Sequence, residues 1–318
     1  MRAFFKNRLS HVDFFHFSYL VFLLATSVIY GFRRHSFADI TWIYILLLLL
    51  LILLIYLRTK ISSEKLYFWL YFWYPVIFLL IIFQSMSWFL PVVNLPAIET
   101  EKFDTILYSI DSYFYDIHPV IWFARHARPI MTDIMYLFYS YYYFMPLILM
   151  TFLILHKKQW EVEKAYFILI FSFYLGYIGY MLVPARGPRF YMDIDPVQGV
   201  YIAENMRNLL NFLEANKHDV FPSMHQLIVV VILILSFRYE RPFFYFSLPF
   251  SFGITISLMY CQYHYVIDVI AGTAFAFVFY FAGDYFAEKY SGYFCHQFTI
   301  KQFDAQPQPS RVRIMDEY

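Results

Sequence analysis

His225 and His264 stand in two polar islands of a mostly apolar chain, each beside groups that could help an imidazole do chemistry. The first island, Val220-Phe221-Pro222-Ser223-Met224-His225, closes a polar loop before an apolar run from Gln226 to Phe237. Proline favours the first turn of a helix, so Pro222 is expected to start one and leave N–H groups near Ser223 facing the loop. A helix end of that kind attracts anions, phosphate above all. In the second island, Tyr263 to Asp268, His264 and Asp268 are four residues apart. On one helix face, Asp268 can fix the tautomer of the imidazole and stabilise its charged form. A third stretch, Pro184-Ala185-Arg186-Gly187-Pro188-Arg189, sets two arginines around a Gly-Pro turn. Guanidinium groups grip phosphate oxygens in pairs and stay charged at any working pH.

Each feature also has a plainer reading. Arg186 and Arg189 could be membrane-interface arginines, His225 a helix-cap histidine, and His264 with Asp268 a buried structural bond or half of a metal site. The remaining histidines show no compact ligand spacing, so no metal and no cofactor is expected. Cys261 and Cys295 are too few for a disulfide framework, and Cys261 reads as a small buried hydrophobe.

The elements that must position these residues are membrane helices. Of 318 residues, 61% are hydrophobic and 24% aromatic, well above the apolar share of soluble domains, which marks a polytopic membrane protein. A net charge of +1, with basic residues scattered among loops, gives no reason to expect nucleic acid. Ionisable groups at membrane depth are costly and therefore functional candidates. Met1 to Arg8 is basic and precedes an apolar run without a small-residue cleavage site, so an uncleaved first span is expected.

The fold expected is all-α, a helix bundle of about eight spans, with six to eight allowed. The runs are Phe14 to Phe32, Ile40 to Leu57, Leu66 to Leu90, Met131 to Leu155, Ala165 to Val183, Pro222 to Phe237, Phe243 to Tyr260 and His264 to Phe286. Pro75 and Pro146 are expected to kink their helices. With eight spans, fifteen of the 24 basic residues fall on the side of the termini and nine on the other. The positive-inside rule then puts both termini in the cytoplasm. By alternation the loop 184–221 and the bend at 260–264 share the non-cytoplasmic face, so the islands can meet there. Between the third and fourth spans, acidic residues including Asp104 and Asp111 alternate with apolar ones at helical spacing, the pattern of an interfacial amphipathic helix. The tyrosine-rich run Tyr136 to Tyr143 is expected at the membrane interface. The chain divides into 1–130, N-terminal spans with the amphipathic segment; 131–290, a catalytic bundle; and 291–318, a polar cytoplasmic tail.

Together the three islands resemble the type 2 phosphatidic acid phosphatase superfamily, whose pattern is a basic first motif, Pro-Ser-x-His, and a third motif ending His-x3-Asp. Here Pro222-Ser223-Met224-His225 fits the second, and Ser257, His264 and Asp268 fit the third. A closer resemblance is to the inositol phosphorylceramide synthase branch of inositolphosphotransferases, with Phe221 to His225 and Met259-Tyr260, His264-Tyr265, Asp268 and Gly272 matching its motifs. The sequence departs from the broad pattern at Leu258, where arginine is usual, and has no lysine at the usual distance before Arg189; the synthase-like branch shares the first departure.

The resemblance implies a mechanism. His264 attacks phosphorus and forms a phosphohistidine while Asp268 holds its ring, and His225 protonates the departing oxygen and then deprotonates the acceptor. Arg189, with Arg186 and Ser223, stabilises the extra charge, without a metal. The branch implies transfer of a phosphorylated headgroup, such as phosphoinositol, from a phospholipid to a lipid alcohol. The rivals are hydrolysis of phosphatidate or a polyprenyl diphosphate and, in another class, a non-catalytic membrane scaffold or transporter.

Overall fold

Among the described residues, apolar runs bounded by Gly, Pro and charged residues give thirteen helices and no strand. The computed structural model describes residues 9–33, 39–93, 100–156, 159–213 and 216–291. The tail expected beyond 291 and the first eight residues lie outside them.

Three long helices come first: α1 (His11–Arg33), α2 (Asp39–Arg58) and α3 (Glu64–Val93). Then follow α4 (Thr100–Phe114) and α5 (Pro119–Arg125), the pair α6 (Pro129–Tyr141) and α7 (Met145–His156), and α8 (Gln159–Leu182). The last group is α9 (Pro188–Tyr191), α10 (Ala203–Leu213), α11 (Met224–Tyr239), α12 (Arg241–Tyr260) and α13 (Val266–Tyr290). Among the described residues six helices are long and apolar enough to cross a bilayer, or seven if α6 and α7, bent by 47° at their break, are counted as one span.

Two of the eight expected spans therefore look different. The run Met131 to Leu155 breaks at 142–144, directly before Pro146, whose missing N–H suits the first turn of α7 rather than a helix interior. The run Pro222 to Phe237 is a helix of 16 residues, below the length that spans alone. It can be short because it lies inside the protein: α11 packs on α7, α8, α12 and α13 and buries Leu227, Ile228, Val231, Ile232 and Leu235. Pro75, by contrast, sits within an unbroken α3.

Helix direction separates two ends of the bundle. At one end the carboxylate of Asp13, fully buried at the start of α1, takes a bidentate contact from Arg58 at the end of α2, with Nη1 to Oδ1 at 3.0 Å. The Tyr74 hydroxyl and the Ser10 backbone N–H also donate to it. Nearby in the chain's alternation, Lys164 of α8 pairs with Asp284 at 2.7 Å and with Glu288, and Arg238 of α11 pairs with Asp284 at 2.7 Å. From that end α8 runs to Leu182 and α12 to Tyr260, whereas α11 and α13 start at the other end. All three islands therefore converge at the end opposite these ion pairs.

Candidate active site

The first arginine loop is held by its backbone. Gly187 has φ +89, a left-handed conformation that side chains disfavour, and a Cβ there would lie 2.8 Å from the Val220 side chain and 2.9 Å from the Tyr263 carbonyl. The loop thus touches both histidine islands at the one residue that has no side chain. Arg189 continues the contact, its N–H donating to the Gln262 carbonyl at 3.1 Å.

Pro222 does not begin the helix. It follows Phe221 through a cis peptide and stands before Ser223, which is the N-cap: its Oγ accepts the Gln226 N–H at 3.4 Å. A serine oxygen satisfies an orphan N–H, as proline cannot, and that competition fixes the helix start. The Ser223 N–H donates to the Asp268 carbonyl at 3.1 Å, which ties the start of α11 to the start of α13. At Gly272 a Cβ would come within 2.6 Å of the Ser223 carbonyl, so α13 passes this turn closer than any side chain allows.

His264 precedes its helix rather than sharing one with Asp268. The bend after α12 carries Gln262 at φ 66, and the N–H groups of Tyr263 and His264 both donate to the Leu258 carbonyl at 3.0 Å. α13 begins at Val266 because Asp268 folds back to accept the Tyr265 N–H at 2.8 Å, one half of a capping box. The pairing survives the change: His264 Nδ1 lies 3.5 Å from Asp268 Oδ2, with both side chains buried. Across the cleft the rings of His225 and His264 are 5.6 Å apart at 66°.

Within the tyrosine run, Tyr136, Tyr139 and Tyr142 are buried against protein. The break after α6 turns Tyr139 and Tyr142 toward His225, with ring centroids 4.5 and 4.3 Å away, and Tyr143 stands edge-on at 6.1 Å. Tyr263 packs on Tyr139 at 4.5 Å and carries the Arg189 guanidinium 4.1 Å above its ring. Arg189 Nη1 also donates to Asn211 of α10 at 3.2 Å. Burial and the positive Arg189 push the His264 imidazole down to about 3. Arg186 is placed differently. Its guanidinium lies over Phe190 at 5.1 Å, and its charge bears on Asp104 and on His218, whose imidazole is pushed down by burial and by Arg186. The structure therefore brings Ser223, His225, His264, Asp268 and Arg189 together, while the contacts of Arg186 are with Phe190, Asp104 and His218. Cys261 is buried and its thiol is pushed up by that burial, so it is no ready nucleophile.

Two positioning residues escaped the sequence reading. Asp104 and Asp111 of α4 are both buried. Asp104 accepts the N–H groups of Arg186 and Gly187 at 2.9 and 2.8 Å and the Tyr265 hydroxyl at 3.1 Å. Asp111 accepts the first two N–H groups of α13, Val266 at 2.7 Å and Ile267 at 3.0 Å, where helix and carboxylate favour one another. Burial raises both carboxyls, and the donated N–H groups oppose that rise. The signal was their spacing: Asp104, Leu107 and Asp111 fall on one helix face. A third carboxylate, Asp133 of α6, accepts four successive N–H groups from Val200 to Ala203 and fixes the start of α10.

Asp104→Ala is expected to free the Arg186–Gly187 backbone and raise KM roughly tenfold, the scale of charged hydrogen bonds at about 1.5–3 kcal/mol, with a smaller fall in kcat. Steady-state kinetics beside Asp104→Glu would check it. Equal loss in kcat and none in KM would separate Asp104 from substrate binding.

A family model described as the PAP2 superfamily matches residues 106–282, more than half of the chain. No curated protein and no solved structure matches.

Proposed function

The chain belongs to the PAP2 superfamily, and from that premise we propose that it is an integral membrane phosphotransferase moving a phosphoinositol-like headgroup to a lipid alcohol through a phosphohistidine on His264. Its class is that of membrane lipid phosphatases and phosphotransferases. The observation that carries the reading is the facing pair of imidazoles 5.6 Å apart, with Arg189 beside them.

In the first half-reaction a neutral His264 nitrogen forms a bond to phosphorus as the bond to the lipid oxygen breaks. His225 gives that oxygen its proton, so the diacylglycerol leaves as an alcohol. In the second, His225 takes the proton of the acceptor hydroxyl, whose oxygen bonds to phosphorus while the P–N bond breaks and His264 returns neutral. Asp268, 3.5 Å from Nδ1, steadies the imidazolium that exists in between. Arg189 faces the charge on the phosphoryl oxygens, and Ser223 and Arg186 are the further phosphate-binding candidates. The aromatic rings of Tyr139 and Tyr142 beside His225 are compatible with a lipid alcohol as acceptor, and the preference for transfer over hydrolysis rests on the resemblance to the inositolphosphotransferase branch. The active site faces the non-cytoplasmic side in this reading.

The deciding experiment uses purified protein in vesicles holding phosphatidylinositol, phosphatidate and a lipid alcohol, followed by mass spectrometry. A new phosphodiester lipid supports transfer and names the donor; free phosphate without one makes the protein a phosphatase.

A pH profile tests the electrostatics. With its imidazole at about 3, His264 is neutral and nucleophilic throughout ordinary assay conditions. Arg189→Ala removes one of the two influences that hold it down, so its pKa climbs part of the way toward the ordinary value of about 6.5 and the acid limb of kcat/KM moves to higher pH. Arg189→Lys should leave the limb in place. An unmoved limb in the alanine variant would remove Arg189 from the nucleophile's surroundings.

A further inference from the structure

A groove of about 530 Å³ runs along the outside of the bundle between α11 and α12. That volume lies in the usual range for small-molecule sites, about 300–1,000 Å³. Its walls are apolar along most of their length: Val230 and Leu233 on α11 face Leu248 and Phe252 on α12. Phe252 is 69% exposed and Leu248 46%, so the groove opens sideways, where a spanning helix meets lipid.

Its upper end is polar and begins one residue after His225 in the sequence. Gln226 directly follows His225, and its amide is fixed at both ends, Nε2 donating to Thr273 Oγ1 at 3.0 Å and Oε1 accepting from Thr255 Oγ1 at 2.8 Å. One turn from Thr255 along α12, Ser251 lines the same groove at 4% exposure, and its hydroxyl has no hydrogen-bond partner among the described residues. Two other buried helix hydroxyls bond back to their own backbone, Ser140 to Tyr136 and Ser172 to Ile168, both at 2.8 Å, whereas Ser247, one turn before Ser251 and outside the groove, lacks a partner as Ser251 does. An unpaired hydroxyl away from water costs about 1–3 kcal/mol, and that cost disappears when a ligand supplies an acceptor.

We propose that this groove binds a hydrocarbon chain of the lipid substrate, with the chain's ester, amide or hydroxyl linkage at Gln226, Ser251 and Thr255. The proposal rests on the reading of the active site as one for lipid phosphates. From Gln226 to Leu233 the helix rises about 10 Å, so a chain seated there runs from the histidines toward the middle of the bilayer. The reacting headgroup then sits above the linkage, at the level of His225. The groove selects for chain length and linkage, while the arginine loop selects for phosphate.

The test uses phosphatidylinositol carrying a diazirine near the end of one chain, in vesicles with the whole protein, illuminated with and without excess unlabelled phosphatidylinositol. Labelling of 226–233 and 248–255 that the competitor removes is the expected result. Uncompeted label on the groove no stronger than on Ile270 and Phe281, exposed elsewhere on the bundle, would overturn the proposal. Val230→Trp, which fills the groove, and Phe252→Ala, at an exposed position that the fold tolerates, are each expected to lower the ratio of long-chain to dioctanoyl turnover about tenfold. An equal ratio in both variants and the parent would also overturn it. The two readings fail separately: competed groove label without any product refutes the chemistry and keeps the groove, whereas product without competed label does the reverse.

Discussion

His264→Ala is expected to reduce turnover of any lipid phosphate by at least ~10⁴-fold, the scale on which removal of a covalent nucleophile registers in enzymes that form an intermediate. Substrate binding should change little, since Arg189 keeps its seat over Tyr263 and its bond to Asn211 without the imidazole. The same substitution should abolish an acid-labile phosphoprotein that the parent accumulates when acceptor is withheld. His225→Ala separates the two roles: it slows both half-reactions, yet a donor with a good leaving group needs no proton and should still load His264. Rapid-quench phosphorylation with each variant would show the split. Near-normal turnover in His264→Ala would end the nucleophile assignment.

Arg58→Ala is expected to be the most destabilising single change at the other end of the bundle. It leaves the Asp13 carboxylate fully buried, with the Tyr74 hydroxyl and the Ser10 N–H but no cation. Breaking a buried pair by removing one partner costs about 3–5 kcal/mol, because the remaining charge has lost its counterpart in a low-dielectric interior. Replacing both members, Arg58→Met with Asp13→Asn, should recover much of the loss, since no bare charge remains. Thermal unfolding in detergent would show a fall of several degrees for the single variant and a partial return for the double. Equal melting of Arg58→Ala and the parent would mean that the pair contributes nothing to holding α1 on α2.

Much of the candidate site was legible in the sequence, because an imidazole and a carboxylate amid apolar residues have few other reasons to be there. The convergence of Arg189, His225 and His264 followed from alternating helix direction and is present in the fold. What the sequence hid has physical causes. His264 was assigned to the helix of Asp268 since no Ser, Thr, Asn or Asp marks an N-cap there; Tyr265 fills that position and Asp268 supplies the cap from inside. The contacts of Tyr139 and Tyr142 with His225 were not legible, because aromatic density does not reveal which way a broken helix turns its side chains. α11 was read as an ordinary span although it is short, since hydropathy does not distinguish a helix wrapped by protein from one wrapped by lipid. The acidic residues of α4 were read as its wet face, the usual orientation in a soluble protein, whereas two of them point inward.

That reversal at α4 leaves the positioning of the candidate site dependent on a helix whose outer side is apolar and exposed. The helix presents carboxylates to the protein and Ile106, Tyr113 and Phe114 outward, at exposures of 47, 84 and 72%. Among the described residues nothing covers that outer side, so in a bilayer it is expected to meet lipid. Asp104 and Asp111 then set the spacing between the arginine loop and the start of α13. Protein stripped of lipid would keep its buried helices and melt as a folded bundle, yet lose the alignment on which turnover depends, and returning bilayer lipid would restore the rate without refolding anything. In such an architecture the surrounding membrane would serve as the last element of tertiary structure.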